Sequence, residues 1–284
     1  MTFRHKKGEN IPYNFTEYQV KTDEFFATHP VFSLNEASTA LTPKGGRSGT
    51  VERLKYHLKT GTLKPAARGV YAVVPPGVQS DRFQPDPVLV ASAVRPDGVF
   101  SHHSALELLG AAHSVWHQCT IYAEQRRRPL RLNGTTIRFL EHPGPMRSAA
   151  NEQLGTLRVE RQGRLLRTTG PERTLVEGFR RPALAGGLEE LVRSASGFST
   201  LDLDLLEKVL HGYAIANLWA AVGWFLERFQ QAFYIPEKFL ERLAQHLPRS
   251  PHYLERDRRG GALAARWNLI LPETLAKLGE PDER

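Results

Sequence analysis

Cysteine is almost absent from the sequence, with a single residue, Cys119, among 284. One thiol excludes an intramolecular disulfide framework and a thiolate zinc cage. Long apolar runs are also missing: nowhere do about 18 apolar residues follow one another, and no apolar segment follows the basic opening MTFRHKKGEN. We therefore expect a cytoplasmic protein with no membrane partner.

Positive charge is in excess, and it is unevenly placed. The net charge is +8; residues 1–80 carry 11 Lys/Arg against 6 Asp/Glu, and residues 126–173 carry 11 against 4. Separated basic blocks favour localised cationic surfaces, for which a polyanion is the natural partner. At this length, and with 40% hydrophobic residues, two or three domains are expected.

The first basic block surrounds a predicted helix in RSGTVERLKYHLKTG. Between Lys44 and Arg68 there are seven Lys/Arg and a single acidic residue, Glu52. At about 100° per residue, three apolar side chains share one stripe and would pack on a small core. They are Val51, Leu54 and Leu58. The residues predicted to face outward are Gly49, Arg53, Tyr56, His57 and Thr60.

Two further helices are predicted before this one and a hairpin after it. KTDEFFATHP would begin a helix at Thr22 or Asp23, and SLNEASTAL has the capping-box pattern of Ser33 and Glu36. Downstream, TLKP and GVYAV are short strand-like runs joined by AARG. Three helices followed by a hairpin predict a winged helix-turn-helix domain over residues 1–80, whose third helix enters the DNA major groove.

The predicted DNA-binding residues divide by chemistry, because polar side chains on the helix read base edges and surrounding cations neutralise phosphates. The residues predicted near bases are Ser48, Thr50, Arg53, Tyr56 and His57. Those predicted at phosphates are Lys44, Arg47, Lys59, Lys64 and Arg68. The alternative is a small helical domain whose cations only keep its surface solvated.

The rest of the chain, residues 81–284, is predicted to form a second domain after the proline-rich segment PPGVQSDRFQPDP. Its first part, 81–182, mixes helices with β-rich runs, and hairpin turns are expected at Asn133-Gly134 and near Gln162-Gly163. Its last part, 183–284, is mainly helical. The predicted fold class is therefore α+β, with a winged helix, a mixed α/β middle region and a helical C-terminal region.

Several groups of residues in this second domain suggest catalytic or metal sites. Four histidines lie within sixteen residues, but adjacent histidines are not an i, i+4 ligand pair and no carboxylate has a matching spacing. Asp202 and Asp204 suit the first turn of a helix better than a magnesium site. Cys119 fits a buried position in an apolar strand. We expect no enzymatic activity, no metal and no cofactor. The histidines are His102, His103, His113 and His117.

The densest cationic run is EQRRRPLRLNG, between two predicted strands. It fits contact with flanking DNA, with the acidic surface of a partner protein, with RNA, or with solvent alone. The sequence does not separate these partners.

Three stretches taken together resemble the AbiEi family of antitoxins from type IV toxin-antitoxin systems. They are GRSGTVERLKYHLKTGTLKPAARGVYAV, FSHHSALELLG, and RTTGPERTLVEGFRRP with the following GGLEEL. The resemblance implies an N-terminal winged helix that binds repeats in its own promoter and represses an operon that also encodes a nucleotidyltransferase-like toxin. It also implies antitoxic activity in the larger C-terminal region, and leaves open whether the toxin is bound directly.

The resemblance also implies residue roles. The family's DNA-contacting helix and wing fall on Arg47, Ser48, Thr50, Arg53, Lys55, Lys59, Lys64 and Arg68. Members of the family place positive charge on the C-terminal region, and the resemblance therefore implies a role in antitoxicity for four arginines of this chain. They are Arg126, Arg127, Arg128 and Arg131. One alternative is a stand-alone transcriptional regulator whose C-terminal domain binds a small effector. Another is an enzyme acting on nucleic acid through the histidines or through Asp202 and Asp204.

Overall fold

A computed structural model describes residues 14–41, 46–125, 127–148, 151–255 and 261–276. By its contacts the chain divides into two units. The first extends to Val94 and includes Gln162–Arg164, and the second holds Arg95–Arg161 and the residues from Leu165 onward. Helices and strands occur in both units, so the predicted mixed α+β class is confirmed.

The described residues of the first unit form four helices and three strands. They are α1 (Asn14–Thr28), β1 (Val31–Ser33), α2 (Leu34–Leu41), α3 (Gly46–Lys59), β2 (Leu63–Ala67), β3 (Val70–Val73) and α4 (Pro87–Val94). The strands make an antiparallel sheet in the order β1-β3-β2. Strand β1 was not predicted, since three residues directly before a helix carry no alternation that distinguishes a strand from a cap.

The core of the first unit is built around phenylalanines. Phe32 is fully buried, and its ring lies 5.0 Å from that of Phe25 and 5.7 Å from that of Phe26. The capping box of α2 is confirmed, because the Ser33 amide donates to the Glu36 carboxylate at 2.8 Å and the Glu36 amide donates to Ser33 Oγ at 3.2 Å. Helix α1 begins well before the predicted start, so Thr22 is a buried residue inside the helix rather than its cap.

Helix α4 extends the first unit beyond the predicted boundary at residue 80. It is apolar on nearly every side, with Val88, Leu89 and Val90 buried, and it contacts β1 and β3. The polar segment before it is therefore a loop of the first unit, not a linker between domains. Its proline and glycine content predicted the break in secondary structure but not the side of the boundary to which α4 belongs.

The second unit begins with a mixed sheet and ends with a helical region. Its sheet-rich part contains β4 (Val99–Phe100), α5 (His103–Leu108), β5 (Gln118–Ala123), β6 (Leu130–Leu132), β7 (Thr135–Glu141), β8 (Thr156–Arg161) and β9 (Arg164–Thr169). Its later part contains α6 (Pro171–Arg180), α7 (Leu188–Ala195), α8 (Leu203–Tyr213), α9 (Ala216–Arg228), α10 (Glu237–Ala244), β10 (His252–Tyr253), β11 (Ala262–Ala264), β12 (Leu269–Leu271) and α11 (Glu273–Ala276).

The six-stranded sheet has the order β6-β7-β5-β4-β9-β8, with β5 parallel to β7 and β4 parallel to β9. The predicted hairpin turns are confirmed: φ is 48° at Asn133 and 83° at Gly134, and it is 50° at Gln162 and 78° at Gly163. A second, three-stranded sheet has the order β10-β12-β11. In the part of the chain that the structure describes, no helix combines the length and apolar character needed to cross a bilayer.

Candidate nucleic-acid interface

Helix α3 docks on the core of the first unit through Thr50, Leu54 and His57. Thr50 is fully buried and its hydroxyl donates to the Gly46 carbonyl at 3.2 Å. The His57 ring packs edge-on against Phe26 at 4.9 Å, and burial lowers its pKa. The outward orientation predicted for His57 and the base contact predicted for Thr50 do not fit these buried positions, because the core-facing stripe of α3 includes a small and an aromatic polar residue.

The opposite side of α3 is a polar face. Ser48, Glu52, Lys55 and Lys59 follow at intervals of 4, 3 and 4 residues and share this side of the helix. All four are exposed, and Tyr56 beside them is 63% exposed. Lys55 Nζ lies 2.6 Å from Glu52 Oε1, so one carboxylate stands among the cations of this face. Glu52 was not among the predicted site residues, although its position in the helical period placed it there.

Two arginines of α3 that were predicted to contact DNA lie outside this polar face. Arg53 is half-buried, and its Nη1 atom is 3.4 Å from Thr22 Oγ1 of α1. Its predicted outward orientation is wrong, because position 53 lies on the flank of α3 that meets α1. Arg47 is exposed in the first turn of α3 and donates to Asn35 Oδ1 of α2 at 2.9 Å.

The β2–β3 hairpin presents one of its two predicted cations to solvent. Arg68 is exposed at the turn, where φ of Gly69 is 72°. Lys64 points to the loop before α4, and its ammonium donates to the carbonyls of Phe83 at 2.6 Å and Asp81 at 3.3 Å. Lys64 therefore holds this loop in place. Lys44 lies outside the described residues.

The second basic run lies at the edge of the six-stranded sheet. Arg127 and Arg128 precede β6 and Arg131 lies within it, and all three are exposed. Arg126 lies outside the described residues. Arg131 and Arg127 line a cavity of about 360 Å³ together with Arg138 of β7. Arg138 was not among the predicted site residues, and only the pairing of β6 with β7 brings it to this cavity.

The residues considered for catalysis or metal binding do not converge. His102 and His103 are buried, whereas His113 and His117 are exposed, and no three His, Cys, Asp or Glu side chains of the described ranges are arranged to hold a metal ion. Cys119 is buried in β5. Asp202 accepts from the Leu205 amide at 2.9 Å as the N-cap of α8, and Asp204 follows in its first turn, which confirms their interpretation as helix-start residues.

A buried polar network in the second unit was missed by sequence reasoning. Arg173 and Glu177 of α6 are both fully buried, with Arg173 Nε donating to Glu177 Oε1 at 2.7 Å. Tyr213 of α8 donates to the same oxygen at 2.6 Å, and burial together with the charge of Glu177 raises the pKa of its phenol. The i, i+4 spacing in PERTLVEGF was the available signal, but such a pair is usually exposed.

Comparison with known proteins bears on the fold. No family model matches the chain, and no curated protein matches it. Among solved structures, the chain is similar to the crystal structure of the Rv2827c protein from Mycobacterium tuberculosis, with 18% sequence identity, 92% of each chain covered and a TM-score of 0.60. At this identity the likeness shows a shared fold alone.

Proposed function

We propose that the protein is a DNA-binding transcriptional regulator whose first unit is a winged helix-turn-helix. The order of its elements supports this reading: α1, β1, α2 and α3 are followed by a hairpin whose strands join β1 in one antiparallel sheet. Helix α3 then corresponds to the recognition helix, and the β2–β3 hairpin corresponds to the wing.

The two-sided character of α3 carries the proposal. One side of the helix is buried in the core through Leu54. The opposite side exposes Lys55 and Lys59 to solvent, beside the hydroxyl groups of Ser48 and Tyr56. A helix with a cationic, hydrogen-bonding outer face suits the major groove, where cations neutralise phosphates and hydroxyl groups contact base edges. We assign base contacts to Ser48 and Tyr56, and phosphate contacts to Lys55, Lys59, Arg47 and Arg68.

We further propose that the protein is an antitoxin of a type IV system, which represses its own operon and counteracts a nucleotidyltransferase-like toxin without catalytic turnover. This part rests on the resemblance to AbiEi antitoxins and on the exposed arginines of the second unit, of which Arg127, Arg128 and Arg131 are the candidates for antitoxicity. A stand-alone regulator with an effector-binding second unit is the second candidate, favoured by the arginine-lined cavity beside β6.

Binding of the full chain to its own upstream region tests the first proposal. Fluorescence anisotropy with the promoter duplex and with a scrambled duplex separates the two kinds of contact. Tyr56→Ala should reduce the preference for the promoter, because it removes a base contact. Lys59→Ala should weaken binding to both duplexes alike. Lys208→Ala, which removes an exposed cation from α8 of the second unit, is the matched control and should change neither. Promoter and scrambled duplex bound equally by the wild type would contradict specific regulation.

Co-expression with the adjacent gene tests the antitoxin proposal. Growth should be restored by the wild type and by the Lys55→Ala/Lys59→Ala variant, since that variant retains the second unit unchanged. Growth should be lost with an Arg127→Ala/Arg128→Ala/Arg131→Ala variant that retains promoter binding. A neighbouring gene without toxicity would favour the stand-alone regulator.

A further inference from the structure

We propose that the β6–β7 hairpin of the second unit forms a binding site for a phosphate group. Arg127, Arg131 and Arg138 line one cavity of about 360 Å³, together with Thr136 and apolar side chains. No carboxylate is part of the lining that the described residues provide. The site goes beyond the proposed DNA contacts of α3 and does not depend on them.

Strand pairing brings the arginines to one side of the hairpin. Arg131 of β6 lies directly opposite Thr136 of β7, and Arg138 follows Thr136 by two residues on the same face. Diagonal neighbours of this kind are roughly 7–8 Å apart at their backbones, which is within reach of two arginine side chains that meet over a shared ligand. The tight Asn133-Gly134 turn fixes this register.

The third arginine is placed by an aromatic contact. Arg127 comes from the loop before β6, and its guanidinium carbon lies 6.0 Å from the centroid of the Phe139 ring. Phe139 is buried, so this contact gives the Arg127 side chain a fixed support at the cavity.

Among the described residues, no carboxylate of the lining compensates the positive charge of the cavity. Other arginines of the second unit pair with carboxylates, as Arg147 does with Glu141 at 2.7 Å and Arg242 with Glu207 at 3.1 Å. Among the described residues, neither a hydrogen bond nor an ion pair engages the guanidinium groups of Arg131 and Arg138. Like charges around one concavity repel each other, and an anion with several acceptor oxygens removes that repulsion.

A phosphate group matches this set of donors. Planar guanidinium groups donate in pairs to phosphate oxygens, and the Thr136 hydroxyl adds a neutral donor. The cavity is at the small end of ligand pockets, so it suits one phosphoryl group with its nearest atoms rather than a large ligand. That group can come from a phosphorylated small molecule or from the backbone of a nucleic acid.

The full chain is titrated with ATP, with single-stranded RNA and with a DNA duplex lacking the promoter, at constant ionic strength. Arg131→Ala and Arg138→Ala are each expected to weaken binding of at least one probe by about tenfold or more, the effect of losing a charge-assisted hydrogen bond. Arg193→Ala is the matched control, since it removes an exposed arginine from α7 outside the cavity lining. It should weaken binding by no more than about twofold.

A comparison of the three probes identifies the source of the phosphate group. Binding of ATP that depends on Arg138 identifies a small phosphorylated ligand, and RNA or DNA binding with the same dependence, but no ATP binding, identifies a nucleic-acid backbone. If an arginine variant unfolds, Thr136→Val tests the proposed phosphate site without changing any charge. It should weaken binding by about threefold. The Lys55→Ala/Lys59→Ala variant should bind ATP as the wild type does. The proposal is overturned if none of the probes binds, or if Arg193→Ala and Arg138→Ala weaken binding equally.

Discussion

His102 shows how burial decides the charge of a side chain. It is fully buried at the start of α5, with φ of 54°, and its Nδ1 atom lies 3.0 Å from Ser101 Oγ. Burial, the largest cause, lowers its pKa from 6.5 to about 4, and the nearby Glu177 offsets only part of that shift. His102 is therefore neutral at neutral pH, although the four-histidine pattern first suggested metal chemistry.

The neutral state of His102 predicts a loss of stability in acid. Between its unfolded pKa of 6.5 and its folded pKa of about 4, the unfolded chain binds a proton that the folded chain does not, so stability present above pH 6.5 is lost as the pH falls. From about pH 7 to about pH 5 this single group contributes a loss of about 2 kcal/mol in the free energy of unfolding. Urea unfolding of the wild type and of His102→Asn at both pH values measures it. The variant should lose about 2 kcal/mol less than the wild type, and equal losses would contradict the assignment.

The Glu177 network predicts a second effect at a single residue. Tyr213→Phe removes the hydroxyl that donates to Glu177 Oε1 and leaves a buried carboxylate with one donor fewer. The free energy of unfolding should fall by about 1.5–3 kcal/mol, the usual worth of a hydrogen bond to a charged group. Tyr234→Phe is the control, because its side chain is 89% exposed, and it should change stability by less than about 0.5 kcal/mol. Equal effects of the two variants in thermal and urea unfolding would contradict the network's role.

At the scale of elements, local sequence signals located most helices and turns but not their tertiary partners. The Ser33–Glu36 box and the Asn133-Gly134 turn each act over a few residues, and each was predicted from the sequence. The assignment of α4 to the first unit depends on contacts with distant strands, so no local pattern determines it.

The exposed residues of α3 could be predicted only in part, because helical periodicity does not show which polar side chains find partners in the core. Tyr56 was predicted to face outward and does so, whereas His57, predicted to face outward, and Thr50, predicted to lie near bases, are both buried. Their burial depends on partners: the Gly46 carbonyl for the Thr50 hydroxyl and the Phe26 ring for His57. The meeting of Arg131 with Arg138 likewise depends on the register of β6 on β7.

Packing of Trp267 against α9 predicts that Gly223→Ala will destabilise the protein, although helix propensity favours alanine. A Cβ atom there would lie 2.0 Å from the ring of Trp267, which is fully buried. Propensity alone favours Gly223→Ala by about 1 kcal/mol, but overpacking of this kind costs about 3 kcal/mol, so a net loss of about 2 kcal/mol is expected. Gly212→Ala in α8 is the control, since its Cβ would meet a flexible methionine, Met146, at 3.0 Å. Urea unfolding should show this control neutral or more stable, and a stabilised Gly223→Ala would refute the packing argument.

At the scale of the whole molecule, the chain has a net charge of +8, and its described residues include two basic surfaces. One is the outer face of α3 with Arg68, in the first unit, and the other is the arginine-lined cavity of the β6–β7 hairpin, in the second. Each surface is expected to release counterions from a nucleic acid only if it contacts phosphates. The salt dependence of binding therefore counts the phosphate contacts of each surface separately.

Salt titration of promoter binding should assign the contacts to these surfaces. For the full chain, a plot of the logarithm of the binding constant against that of salt concentration has a slope set by the number of neutralised phosphates, and Lys55→Ala/Lys59→Ala should reduce its magnitude by about 2. The reason is that each exposed lysine of the α3 face neutralises one phosphate. Lys208→Ala should leave the slope unchanged. If the β6–β7 hairpin also binds the duplex, Arg131→Ala/Arg138→Ala should lower the magnitude of the slope by a similar amount. If the ligand of the hairpin is a phosphorylated small molecule, this variant should have the same slope as the wild type. An unchanged slope in the lysine variant would show that α3 does not lie on the phosphate backbone.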